Sequence, residues 1–229
     1  DIYALIIPWT QFFNLNFSTG GAAISLPNDG YLGIAAGGWV SKRVYAIAGF
    51  GDINSDPTKV FEGFNTFFNE QNYFKHVEVG FVSSKDKFMS DNIHVTAWHR
   101  DASQLQGTNE GWGLNFSASR LLGERWLPFL RGGYTKDGGS LLEITASAGF
   151  GYRRKVNSHL FAIGAHYGRP NQNTYGTKLK DQYTIEMFYR LQLSQKIAIT
   201  PDVQFIVNPA LNPVDNFIFV YALRGRIAI

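Results

Sequence analysis

The sequence predicts an all-β protein, a transmembrane antiparallel up-and-down β-barrel with about twelve strands visible. Three observations predict it. Apolar and polar residues alternate in many long runs, the runs exceed the usual soluble strand, and short and long connections alternate along the chain. The closing stretch "NFIFVYALRGRIAI" shows the first of these. Phe217, Phe219, Tyr221, Leu223, Ile227 and Ile229 share one face, with Gly225 among them, while Arg224 and Arg226 share the other. A strand sends successive side chains to opposite faces. On its own this segment fits two arrangements: a soluble sandwich with its apolar face packed inward, or a barrel with that face toward lipid.

Candidate strands follow in order at Ile2–Ile7, Tyr31–Val40, Val44–Ile53, Tyr73–Ser83, Asn92–Arg100 and Gly111–Leu121. Further along come Trp126–Tyr134, Glu143–Arg153, His159–Arg169, Gln182–Leu193, Ile197–Val207 and Phe217–Ile229. Most are longer than the roughly 5–6 residues usual in soluble sheets. They suit the roughly 9–11 residues that a tilted strand needs to cross a bilayer.

Short connections are "SKR" at Ser41, "SKDKFMSD" at Ser84, "GER" at Gly123, "KVNS" at Lys155 and "SQK" at Ser194. Longer ones lie between them, at Pro8–Gly30, Asn54–Asn72, Asp101–Glu110, Thr135–Leu142, Pro170–Asp181 and Asn208–Asn216. An up-and-down barrel alternates in this way, with tight turns on one side and long loops on the other. A Greek-key sandwich need not.

The faces agree from strand to strand. Val77, Val79 and Phe81 oppose His76, Glu78 and Gly80, and Ile93, Val95 and Ala97 oppose His94, Thr96, Trp98 and Arg100. Ile185, Met187 and Tyr189 oppose Thr184, Glu186, Phe188 and Arg190. No charged residue sits mid-strand on an apolar face; Lys75 and Arg120 share its phase but lie near strand ends. A Lys or Arg facing the bilayer midplane would cost about 2–4 kcal/mol.

Composition narrows the function classes. The chain has 229 residues and no cysteine, which excludes disulfides and thiolate metal sites. Its 21 basic and 18 acidic side chains leave a net charge of +3, and no basic cluster marks a nucleic-acid surface. No apolar run reaches the length of a transmembrane helix. No signal peptide is visible before Asp1, so it has been cleaved or the chain starts downstream of it.

Three stretches carry a resemblance: "LPNDGYLGIAAGGWVSKRVYAIAGFGDINSD", "FNEQNYFKHVEVGF" and "IEMFYRLQLSQKIAITPDVQFIVNP". From about Phe13 onward the chain resembles the carbohydrate-selective outer-membrane porins of Gram-negative bacteria. The resemblance implies a sixteen-stranded barrel, monomeric or homotrimeric, located in the cell outer membrane, that lets sugars diffuse passively. It implies sugars and outer-membrane lipid as partners and no catalytic role. Two features depart from the family: fewer strands are visible, and the last residue is Ile229 where such barrels end on an aromatic. The chain is therefore read as one barrel domain over residues 1–229, or as the C-terminal part of a longer barrel.

Passage of a sugar needs inward polar groups and aromatic faces. Trp98 with Arg100, and Arg131, Arg153, Arg190, Arg224 and Arg226, take inward phases, with Glu78, Glu186 and Asp202 as counter-charges. If the "SQK" turn pairs Leu193 with Ile197, Glu186 faces Gln204, Phe188 faces Asp202 and Arg190 lies diagonal to Asp202. The same residues also fit a structural ladder. Phe61, Phe64, Phe67 and Phe68, in the loop after Ile53, fit either a plug in the mouth or packing on the rim. Asp52, Asn54 and Asp56 alternate but lack the glycine and closing glutamate of a calcium loop. The five histidines show no metal spacing, so no cofactor is expected. Two alternatives stand beside the pore: an outer-membrane barrel hydrolase using His94 with Ser117 or Ser119, and a soluble β-sandwich binding protein.

Overall fold

The computed structural model describes residues 12–17, 23–27, 31–56, 58–59, 61–155 and 158–228. Among these, eleven strands form a single sheet in strict sequence order, each antiparallel to the next. They are β1 (Gly33–Trp39), β2 (Val44–Asp52), β3 (Tyr73–Val82), β4 (Asn92–Arg100), β5 (Gly111–Ser119) and β6 (Trp126–Asp137). β7 (Leu142–Arg153), β8 (Leu160–Pro170), β9 (Gln182–Gln192), β10 (Ile197–Val207) and β11 (Phe217–Ile227) complete it. The up-and-down order and the lengths match the sequence reading. The candidate strand Ile2–Ile7 lies outside the described residues.

The up-and-down order is that of a barrel wall, although among the described residues β1 and β11 do not pair and the sheet is not closed there. Among those residues each of these two edge strands has a neighbouring strand on one side only. One expectation is corrected. The connection expected to be long at Thr135–Leu142 is a tight turn, because β6 runs on to Asp137 and β7 starts at Leu142. Gly138 and Gly139 take φ of 70° and 74°, the left-handed region that glycine enters without a Cβ clash.

The exposure pattern inverts that of a soluble sheet. Along β4 and β5 the buried positions are Asn92, His94, Thr96, Asn115, Ser117 and Ser119. The apolar residues between them are open, with Val95 47% and Leu114 47% exposed. Register aligns the open row across strands: Val79 faces Val95, which faces Phe116. Water would not tolerate so continuous an apolar wall, whereas hydrocarbon would. Aromatic groups mark both ends of the wall. Trp112 and Tyr134 meet at the long-loop side, and Trp126, Phe150 and Tyr152 at the short-turn side. Outward Lys75 lies at the long-loop end of β3, where Asp101 pairs with it at 2.9 Å.

On the buried face, large side chains need gaps beside them. The Trp98 indole fills the space over Gly113, where a Cβ would meet Nε1 at 2.4 Å. Gly113→Ala is expected to displace that indole and lower stability by about 1–3 kcal/mol. A denaturant midpoint in detergent, compared with Gly225→Ala, where a Cβ meets nothing within 4 Å, checks it.

Candidate functional site: the polar face and its strap

The buried polar face owes its burial to a strap formed by residues 12–17 and 23–27. Asn14 shapes the first part. Its Oδ1 accepts from the Asn16 amide at 3.0 Å, and its carbonyl accepts from the Phe17 amide at 3.1 Å. The resulting turn over Leu15–Phe17 brings the Phe12 and Phe17 rings together at 4.8 Å. Both rings insert between Phe129, Leu160, Ala162 and Phe188. Phe12 meets Phe129 and Phe188 edge-on at 5.5 and 5.2 Å, which ties β6 to β9. Burying each ring contributes about 1.5–3 kcal/mol.

The polar residues of the face satisfy the strap's backbone. Glu186 accepts the amides of Phe13 and, at 2.9 Å, Asn14. Asn14 Nδ2 donates to Gln204 at 3.0 Å, Ser147 donates to the Asn16 carbonyl at 2.9 Å and Arg131 to the Phe17 carbonyl at 2.8 Å. In the second part, the Ala23 carbonyl accepts from Trp98 Nε1 and Asn115 Nδ2, each at 3.3 Å. Arg100 donates to Ser25 Oγ at 2.5 Å and also to Gln106. The strap thus crosses the sheet from β10 to β4. Bonds from amides to a carboxylate and from guanidinium to carbonyls are the stronger, charge-assisted kind.

The ten expected site residues all take the inward phase, but the strap separates them into three settings. Trp98, Arg100, Arg131 and Glu186 are covered by it and almost fully buried. Glu78 accepts from the Tyr45 hydroxyl at 2.8 Å and Thr96 Oγ1 at 2.7 Å. Arg153, Arg190, Arg224 and Arg226 gather at the short-turn end of the inner wall, and the first, third and fourth all act electrostatically on Arg190. The register expected for the "SQK" turn holds: Glu186 pairs with Gln204 and Phe188 with Asp202. The partner of Asp202 differs. Arg224 reaches it at 3.7 Å from β11, rather than Arg190 from β9. Register does not decide between them, because Arg224 sits opposite Thr200 on one side and Arg190 is diagonal to Asp202 on the other; the choice falls to side-chain direction.

A cavity of about 530 Å³ opens beside the strap near β1–β4. His76, Glu78 and Thr96 supply its polar lining, and Tyr31, Phe74 and Phe88 supply aromatic surface. Phe74 stacks on Trp98 at 5.9 Å, so that wall is backed by a second ring.

Of the loop phenylalanines, Phe67 packs on the rim, stacked on Phe50 at 5.7 Å and edge-on to Tyr73 at 5.2 Å, while Phe61, Phe64 and Phe68 are exposed. Thr66, one of the buried residues of that loop, donates to Asp52. Asp52 also accepts the Asn54 amide at 3.0 Å, and Asp56 accepts from Thr58, so these acids serve the loop's own turns. His94 faces Ser117 in register, and its Nδ1 lies 3.1 Å from Asn92 Oδ1. Ser117 Oγ makes no hydrogen bond, so the nucleophile–base link of a hydrolase is not formed.

Sequence reasoning missed the strap. The signal was present: Phe129 and Phe188 stand on an otherwise polar face, and "FFNLNF" puts three phenylalanines into a connection between strands. An aromatic ring on a wet face asks for an apolar partner.

Residues 144–228 match the family model described as carbohydrate-selective porin, OprB family. This segment is similar to the OprB family, over less than half of the chain. The match spans most of β7 and all of β8–β11, and includes Arg153, Glu186, Arg190, Asp202, Arg224 and Arg226. Of the three stretches that carried the resemblance, the last falls within the OprB match and the first two precede it. The OprB family is one of channels, not enzymes. No curated protein matches the chain.

Proposed function

We propose that this chain forms the wall of an outer-membrane pore through which carbohydrates diffuse passively. The observation that carries the reading is the inverted sheet: an exposed apolar face and a buried face of Glu, Arg, Asp, His, Ser and Thr. The OprB match supplies the substrate class. Along the inner face a sugar would exchange hydrogen bonds between His76, Glu78 and Thr96 and rest its ring on Tyr31 or Phe74. The cavity is within the about 300–1,000 Å³ usual for small-ligand sites. Arg153, Arg190, Arg224 and Arg226 give the short-turn end a positive field, set against Asp202 and Glu186.

The test is swelling of liposomes loaded with the refolded chain and challenged with sugars of graded size. Swelling that falls with sugar size supports the pore; none above an empty-vesicle control overturns it. Arg190→Ala combined with Arg224→Ala is expected to move ion selectivity severalfold toward cations, since two positive charges leave a face that keeps Glu186 and Asp202. The zero-current potential under a salt gradient measures it. An unchanged potential would reduce these arginines to ladder members.

A further inference from the structure

We propose that the outer wall carries a groove for one anionic phospholipid at its short-turn rim, a site that rests on the outer-membrane reading above. A cavity of about 490 Å³ lies across β3–β6, lined mostly by residues of the apolar side, with Ser119 and Phe129 of the inner face also in its lining. Register explains its shape. Phe81, Ile93, Ala118 and Leu130 stand side by side on successive strands. The small Ala118 between Ile93 and Leu130 leaves a notch in an otherwise filled row. An acyl chain lying against these side chains would find apolar surface on both flanks.

The rim end of the groove differs from the rest of the wall. Arg43, in the turn before β2, and Arg120, just after β5, line it, and both are exposed. Neither makes an ion pair among the described residues, although cations elsewhere on the surface, such as Lys59 and Lys75, do. The one acid in the groove, Asp91, is buried, accepting Ser83 Oγ at 2.8 Å and the Leu121 amide at 2.6 Å. Its oxygens are therefore occupied, and neither guanidinium group has a carboxylate partner among the described residues. The lining thus holds two cations against one committed carboxylate. An apolar trough ending in free guanidinium groups at interface depth is complementary to a phosphodiester headgroup with its acyl chain. Phosphate charge selects an anionic lipid over a zwitterionic one, and the position at the tight turns selects the periplasmic leaflet.

The experiment is native mass spectrometry of the full chain, released from vesicles of phosphatidylcholine containing a minor share of phosphatidylglycerol. One phosphatidylglycerol per chain is expected to be retained well above its share of the vesicle. Arg43→Gln with Arg120→Gln is expected to lower that retention about tenfold, and Ala118→Leu, which fills the notch while keeping both charges, to lower it comparably. Lys196→Gln, in another short turn, serves as the charge control and is expected to change nothing. Equal retention of both lipids, or retention unaffected by the paired substitution, overturns the groove. A second copy of the chain in place of lipid, seen as dimers that Ala118→Leu dissociates, overturns it also. A chain that inserts into vesicles without headgroup preference sinks the groove alone, whereas one that never inserts sinks the outer-membrane reading with it.

Discussion

Phe17→Asp is expected to raise sugar permeability severalfold while leaving the sheet assembled. Phe17 is fully buried, stacked on Phe12 and edge-on to Phe129 at 6.4 Å. Replacing it removes about 1.5–3 kcal/mol of burial. The substitution also places a carboxylate in an aromatic pocket with no matched donor, which costs more again. The strand ladder does not share this loss, since each strand keeps its backbone partners on both sides, or on one side at β1 and β11. The strap is therefore the part that yields. Lifting it uncovers Trp98, Arg100, Arg131 and Glu186, whose donors and acceptors then turn to water and solute. Liposome swelling reads the permeability, and heat-modifiable migration in detergent reads the sheet. Swelling unchanged from the parent chain, with the strap made sensitive to protease, would show that the strap does not limit passage.

Val95→Arg is expected to abolish insertion into vesicles. Val95 lies in the middle of β4, faces outward and is flanked by Val79 and Phe116. A guanidinium there cannot reach either interface, and the cost is about 2–4 kcal/mol. That is a large share of the 5–15 kcal/mol by which folded proteins are typically stable. Val95→Leu at the same position is expected to insert normally. The fraction converted to the heat-modifiable form in a vesicle refolding assay compares the two. Equal conversion would mean that Val95 does not face hydrocarbon, and the orientation of the whole sheet would have to be reversed.

Much of the wall was legible because its signals are local. The alternation of Ile185, Met187 and Tyr189 with Thr184, Glu186 and Phe188 follows from the two-residue period of a strand. The "SQK" turn fixed the β9–β10 register because three residues leave little freedom in how strands rejoin. The pairing of Asp202 was not legible in the same way. Arg190 and Arg224 both lie within reach from opposite neighbours, and the choice depends on side-chain directions across three strands.

Sequence by itself determined which residues share the apolar face and which share the polar face, since a strand's period and a turn's length are properties of consecutive residues. Only the tertiary structure decided that the polar face is covered, that Phe12 and Phe17 close over Phe129 and Phe188, and that Glu186 holds the Phe13 and Asn14 amides. Those contacts join groups more than a hundred residues apart. Their pairing is set by which buried donors and rings meet a complementary partner in space, and no short-range pattern in the chain encodes that.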